Sequence, residues 1–434
     1  MRDVVVVGGG IAGLAAAWRL RDRDVLLLEA ADRVGGRIRS ERREPYWLNF
    51  GAHVFAGAGS ATDRLLRETG VEAESVPGVL TAVELDGRLV AAGHVETYPF
   101  RLPLAPRDRL ALVKLGARLR LAVAGYDRML RHADQTGVLA HRGDESFADW
   151  VGALPPAVDA VVRPTLQRSS AEPEELAAGY GIGYFHLVWN RRGGLARNVL
   201  GGPARLPEAV AATLGERVRL GVRAQAVSVE GERVQVVDDS GRIEEARFAV
   251  VATPAHVTHT IVRGLPEETR AALAAIRYGP YVVAAVRTGE RGRAAWDGIY
   301  ALAAARRSFN MLFNTANVLR PREGRREPGG TLMVYSGAAL ARRLWDEDDE
   351  RIAELYVADL DAVFPGARAL VEEVVVHRWE RGLPYVYPGR HRLQAALERP
   401  LGRVQLAGDY LGSRYTETAI ASGVAAADAI RREL

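Results

Sequence analysis

Val4-Val5-Val6-Val7-Gly8-Gly9-Gly10-Ile11-Ala12-Gly13-Leu14, continued by Val25-Leu26-Leu27-Leu28-Glu29, decides the fold. The four valines form the β-branched run expected of a strand buried on both faces of a parallel sheet. Gly8, Gly10 and Gly13 follow at G-x-G-x-x-G spacing, Leu14 to Leu20 reads as an Ala-rich helix, and Val25 to Leu28 as a second buried strand. This is a βαβ unit. In such a unit the first glycine permits the tight turn and the second lets the backbone approach a pyrophosphate. The third lets helix and strand pack closely, and the helix N-terminus presents unpaired N–H groups to the phosphates. Glu29 ends the second strand about 20 residues on, where a carboxylate accepts hydrogen bonds from an adenosine ribose. The pattern specifies a dinucleotide.

Beyond Glu29 the chain turns through Arg33-Val34-Gly35-Gly36-Arg37 and reaches Asn49-Phe50-Gly51-Ala52-His53. Arg37 offers a second cationic contact to phosphates, and Gly35 and Gly36 let the loop pass close to a cofactor. From Pro106 to Gly201 the pattern is helical, with Leu112, Leu115, Leu119, Ala122, Tyr126 and Met129 on one face and Lys114, Arg118 and Arg128 on another. A helix is expected over Leu206 to Leu214, then strands over Val218 to Val229, Val234 to Val237 and Arg247 to Thr253. Further strands are expected at Tyr281 to Val286, Leu332 to Tyr335, Val371 to Trp379 and Leu401 to Ala407. Helices are expected around Glu350 to Val363 and over Glu417 to Leu434. The expected fold is α/β: a discontinuous Rossmann-like domain (1–75, 200–260 and 395–434) with an inserted α+β substrate domain (76–199 and 261–394), of which 106–199 is mainly helical.

Composition narrows the function. At 434 residues, 48% hydrophobic and 26% charged, the chain is neither disordered nor a disulfide scaffold. It contains no cysteine, which removes thiolate metal sites, a Cys nucleophile and a cofactor link through sulfur. A tightly held cofactor is therefore noncovalent, or attached through His or Tyr. The formal charge is +4, with acids and arginines interspersed and no long basic block, so no nucleic-acid partner is expected. No apolar run reaches the roughly 18 residues of a membrane span, and the start of the chain lacks the basic and apolar regions of an export signal. A cytoplasmic location is the expectation. The basic amphipathic face of the 106–131 stretch leaves peripheral membrane contact open, and a homodimer is possible.

These residues resemble the flavin-containing amine oxidase superfamily, which includes protoporphyrinogen oxidases and phytoene-type desaturases. The matching pieces are Gly8 to Leu14, Glu29, Arg33 to Arg37, Gly51-Ala52-His53, Val251-Ala252-Thr253-Pro254, Ala407-Gly408-Asp409, Tyr415-Thr416-Glu417 and Ser422-Gly423. The resemblance implies a glutathione-reductase-type domain holding noncovalent FAD. Glu29, beside Ala30, would bind the ribose, Arg37 with Gly8, Gly10, Ile11, Ala12, Gly13 and Gly36 the pyrophosphate, and backbone near Ala224 the adenine. Gly408 and Asp409 would meet the ribityl and phosphate region. Gly51, Ala52, His53, Thr253 and the terminal-helix residues Tyr415, Thr416 and Ala419 would complete the site. The stretch Trp379 to Tyr385 would approach the flavin from the substrate side, and Tyr415 matches an aromatic of the amine-oxidase cage. The family's usual lysine near the flavin is missing: the matching position is Val283 or its neighbour, and Lys114, the only lysine, falls elsewhere.

The expected activity is removal of two electrons, as hydride to FAD, from a carbon of a small, largely apolar substrate. The missing lysine favours carbon–carbon desaturation, with amine oxidation to an imine and peroxide as the alternative. A non-redox flavin isomerase or mutase and a non-catalytic escort protein of the same fold also stay open. Candidate catalytic residues are Tyr415, Tyr385, Trp379 and His53; His186, His256 and His377 are further candidates for handling protons. No G-x-S-x-G elbow or clustered metal-ligand spacing is present.

Overall fold

Buried valines and leucines organise the first of two large sheets. In the computed structural model, which describes residues 1–132, 134–189, 195–320, 327–413 and 415–434, Arg2–Val7 pairs in parallel with Val25–Leu28 on one side and Ile243–Val251 on the other. Val4 to Val7 and Val25 to Leu28 are all buried, as strands covered on both faces must be. Val218–Arg219 extends the sheet beyond Val25–Leu28, and Val404–Leu406 lies beside Ile243–Val251. The antiparallel strands Arg233–Asp238 and Ala224–Glu230 complete the other edge.

The continuous strand expected over Val218 to Val229 is corrected here. It is two strands on opposite edges of the sheet. Gly221 takes a left-handed φ of 69°, which only glycine adopts without steric cost. The segment between them crosses the end of Val25–Leu28, held by Gly221 N donating to the Ala31 carbonyl and Val222 N to that of Glu29. The crossing carries Val222, Arg223 and Ala224 to the strand ends.

Helices cover the sheet. Ile11–Arg19 and the terminal helix Tyr415–Arg431 pack against each other so tightly that a Cβ on Gly423 would lie 2.1 Å from the Ala12 carbonyl oxygen. The second large sheet is mostly antiparallel and runs in the order Val371–Pro384, Tyr278–Thr288, Gly330–Gly337, Met311–Asn314, Ala301–Ala304, Ala82–Leu85, Arg88–Val90. Its last four strands, from Met311–Asn314 onward, were not expected from the sequence.

The helical stretch spans Pro106–His132 and several shorter helices as far as His186–Trp189. The expectation of helix through residue 199 is corrected, because Leu195–Val199 is a strand between Phe55–Ala56 and Ala73–Ser75. Positions 133 and 190–194 of that expectation lie outside the described residues. Among the described residues, no helix is long and apolar enough to cross a membrane.

Candidate active site

The parallel strands end at Gly8, Glu29 and Ala252, and these ends open on a cavity of about 630 Å3. Open α/β sheets bind ligands outside the carboxyl ends of their strands, and the volume suits a small-molecule or cofactor site. Every candidate cofactor contact except Gly13 lines this cavity. Gly13 lies one layer below: a Cβ there would sit 2.0 Å from the Gly8 carbonyl oxygen, so it sets the approach of helix to strand.

One end of the cavity is built to receive phosphates. The helix Ile11–Arg19 is capped by Gly10 without any side-chain hydrogen bond and has no acid in its first turn, so its first N–H groups are left to a ligand. A Cβ on Gly10 would meet nothing within 4 Å, and one on Gly36 would lie 3.4 Å from the Gly10 Cα. Two glycine backbones thus border an open cradle that side chains would fill. The Glu29 carboxylate accepts from Gly9 N at 2.6 Å and Ala31 N at 2.8 Å, with Ala30 and Ala224 lining the same end. Arg37 donates to Asp409 Oδ1 at 2.9 Å and to the Gly382 carbonyl at 3.2 Å. Gly408 N donates to Ser422 Oγ at 2.9 Å, tying this loop to the terminal helix. That helix begins at Tyr415, held at a left-handed φ of 52°, a strained conformation for a non-glycine residue of the kind kept at functional sites. These features fit FAD: a donor-rich N-terminus and an arginine for the pyrophosphate, and a carboxylate at the end where a ribose diol would lie.

The other end is aromatic. Tyr184 and Tyr415 meet edge to face with ring centroids 5.8 Å apart, Tyr281 and Tyr335 at 5.4 Å, and Phe313 stacks on Tyr335 at 5.9 Å. Trp379 is anchored by its indole N–H to the Phe50 carbonyl at 2.6 Å. Burial pushes the phenols of Tyr184, Tyr281 and Tyr415 well above their ordinary value, so they stay neutral and serve as walls and hydrogen-bond donors. Tyr281 and Val283, two residues apart on one strand, both face the cavity. The position expected to match the family lysine is thus an apolar wall, while Lys114 is exposed on Pro106–His132.

Tyr385 is a correction. It does not line the cavity but packs into the helical core with Val386, because the chain leaves the sheet at Pro384 and Tyr385 N donates to the Arg277 carbonyl. Of the histidines, His53 and His256 line the cavity. His377 stacks edge-on to Trp379 at 4.3 Å, and His186 pairs with Asp127 among the helices. The sequence reading missed Arg168, Tyr184, Phe313, Met333 and Tyr335. Only the register of the second sheet and the ends of two helices, Pro156–Gln167 and Ala178–Tyr184, bring them here.

His53 is 7% exposed, and its ring nitrogen Nδ1 lies 3.1 Å from the Gly51 carbonyl, leaving Nε2 buried without a partner. Burial pushes its imidazole down to about 4; the Gly51 contact opposes this and the Arg168 charge reinforces it. The ring is neutral at pH 7, so Nε2 is an acceptor. In the unfolded chain the same ring titrates near 6.5. Its contribution to stability is therefore complete above pH 6.5 and is lost as the pH falls toward 4, when only the unfolded state gains the proton. Between pH 7 and 4.5 the wild type should lose about 2 kcal/mol more stability than His53→Gln. Equal losses in urea titrations of the two proteins would contradict this.

The family described as flavin containing amine oxidoreductase matches residues 11–431. Amine oxidase [flavin-containing] B of Sus scrofa is 28% identical over 270 residues, covering 58% of this chain and 50% of the pig protein. The chain thus matches about half the length of that curated relative. Among solved structures, putrescine oxidase bound to putrescine superposes with a TM-score of 0.81 at 20% identity over 99% of each chain. Cyclohexylamine oxidase from Brevibacterium oxydans gives 0.79 at 22% identity over 100% of this chain and 99% of its own. At these identities the structures show a common fold.

Proposed function

Because the chain belongs to the flavin-containing amine oxidoreductase family, we propose that it is an FAD-dependent oxidase of amines, converting an amine to an imine with release of peroxide. The observation that carries this reading is the aromatic end of the cavity, where Tyr184, Tyr281, Tyr335, Tyr415, Phe313 and Trp379 enclose the space beyond the phosphate cradle. The similarity to amine oxidases favours this reading over carbon–carbon desaturation, which rested on the missing lysine.

FAD, when bound, supplies the acceptor for the two electrons. Glu29, Ala30 and Ala224 would hold its adenosine, and the first turn of Ile11–Arg19, Gly36 and Arg37 its pyrophosphate. Asp409 keeps Arg37 aimed across the cradle. The terminal helix turns the positive end of its dipole toward the cavity, where Tyr415, Thr416 and Ala419 line the wall, and that end stabilises negative charge developing there. The tyrosines exclude water and orient the substrate carbon. Charged phenolates are costly in this setting, so none of them acts as a base. His53 contributes a neutral ring to the cavity wall, with its Nε2 buried behind that wall.

We place the cofactor domain at 1–75, 200–260 and 395–434, with the second sheet and the helices forming the substrate side. The test is peroxide release from aerobic enzyme offered a panel of primary and secondary amines and a panel of isoprenoid and polycyclic hydrocarbons. Turnover of amines alone is expected. Turnover confined to the hydrocarbons would restore the desaturase reading.

A further inference from the structure

A second cavity of about 390 Å3 meets the first at a shared wall formed by Val54, Arg168, Tyr184 and Phe313. Its lining is apolar, including Val83, Leu112, Leu119, Val162 and Met311, and its rim carries the partly exposed side chains Leu80, Phe100 and Val113. Two charged groups of this lining, Glu96 and Arg120, pair with each other at 3.4 Å. Arg168 stands differently. It ends the helix Pro156–Gln167 as its C-cap, and its guanidinium lies 5.9 Å from the Tyr184 ring centroid and 5.8 Å from that of Phe313. Among the described residues no carboxylate pairs with it. The acids that line either cavity are Glu29, bonded to backbone N–H groups, Asp409, bonded to Arg37, and Glu96, bonded to Arg120.

An arginine is charged at every relevant pH, and a cation in a largely apolar enclosure needs an anion to offset its lost hydration. It also repels a protonated amine held at the aromatic end. A substrate that carries its own carboxylate resolves both difficulties. We infer that the substrate is an amphiphilic amino acid-like amine whose carboxylate is held by Arg168 and whose apolar portion occupies the second cavity. The inference rests on the amine-oxidase reading above and adds the chemistry of the substrate to it. The planar guanidinium fork matches a carboxylate in bidentate geometry; the Tyr335 phenol hydrogen-bonds the guanidinium, and of its five N–H donors the others are what the substrate carboxylate would engage.

The test uses the FAD-loaded protein and three probes of one chain length: decanoate, decanamide and decyl phosphate. Each is titrated while the visible spectrum of the bound flavin is followed, so that only binding beside the cofactor is read. Decanoate is expected to bind at least ten-fold more tightly than decanamide and more tightly than decyl phosphate. Arg168→Gln should abolish the acid-over-amide preference, and Arg168→Lys should keep part of it. Equal binding of acid and amide by the wild type overturns the inference, as does no binding of decanoate. A preference for decyl phosphate overturns the carboxylate assignment. An Arg168→Gln protein with a shifted flavin spectrum and an unchanged acid-over-amide preference assigns the arginine to the cofactor instead. Because the wild-type probe comparison stands alone, it decides the matter even if the variants do not fold. Failure of the amine reading would look different: decanoate would bind while no amine was oxidised.

Discussion

Gly13→Ala is expected to yield a protein that purifies with little or no FAD and melts several degrees below the wild type. The added Cβ would lie 2.0 Å from the Gly8 carbonyl oxygen and 3.1 Å from the Ala252 side chain. No rotamer change relieves a clash with backbone, and Gly8 is itself fixed by its N–H to the Leu28 carbonyl at 2.8 Å. Overpacking of this kind costs about 1–3 kcal/mol and occasionally more, and the helix can escape only by withdrawing its N-terminus from the phosphate cradle. Gly10→Ala separates the two effects. Its Cβ meets nothing within 4 Å, so the fold should be as stable as the wild type while FAD uptake is blocked. Thermal unfolding with and without added FAD reads both variants; a wild-type flavin content in Gly13→Ala would contradict the packing argument.

Glu29→Ala should weaken FAD binding by about a hundred-fold or more, as measured by flavin fluorescence on titrating the apoprotein. Hydrogen bonds to a charged group contribute about 1.5–3 kcal/mol each, and the proposed ribose contact would remove at least one. The substitution also leaves the N–H groups of Gly9 and Ala31 without their acceptor, loosening the turn that faces the pyrophosphate. Glu29→Gln, which keeps an acceptor oxygen, should lose far less. Unchanged affinity in Glu29→Ala would remove Glu29 from the ribose site.

The cofactor half was legible because its chemistry is local. Gly8, Gly10, Gly13 and Glu29 lie within 22 consecutive residues; Gly8 is required by its φ of 106° and Gly13 by its packing on the Gly8 carbonyl, while Gly10 and Glu29 are read from the ligand contacts proposed for them. Arg37, Gly51, Gly408 and Tyr415 come from distant segments, yet the resemblance placed them, and the structure brings all of them to one cavity.

The substrate half was not legible, for a reason particular to sheets. Tyr281 and Val283 face the cavity while Val282 between them is fully buried in another cluster. Which set of alternate residues faces in depends on pairings such as Tyr281 with Gly337 and with Trp379, and these are long-range. Tyr385 was misplaced by the same ambiguity, since its segment reads as a continuation of Trp379 until the strand ends at Pro384. Arg168 gave no signal, because in a chain where arginine supplies almost all the positive charge one more arginine after a helix looks like a solvated end. Its meaning comes from the two cavities on either side of it.

The account turns on a flavin seated in the 630 Å3 cavity and reduced by an amine held among the tyrosines. The most direct measurement is the visible absorption spectrum of FAD-loaded protein, recorded without oxygen before and after adding amines and then polyenes. The account predicts that an amine bleaches the bound flavin and that polyenes leave it oxidised. Bleaching by polyenes alone, or a folded protein that takes up no FAD, would contradict it.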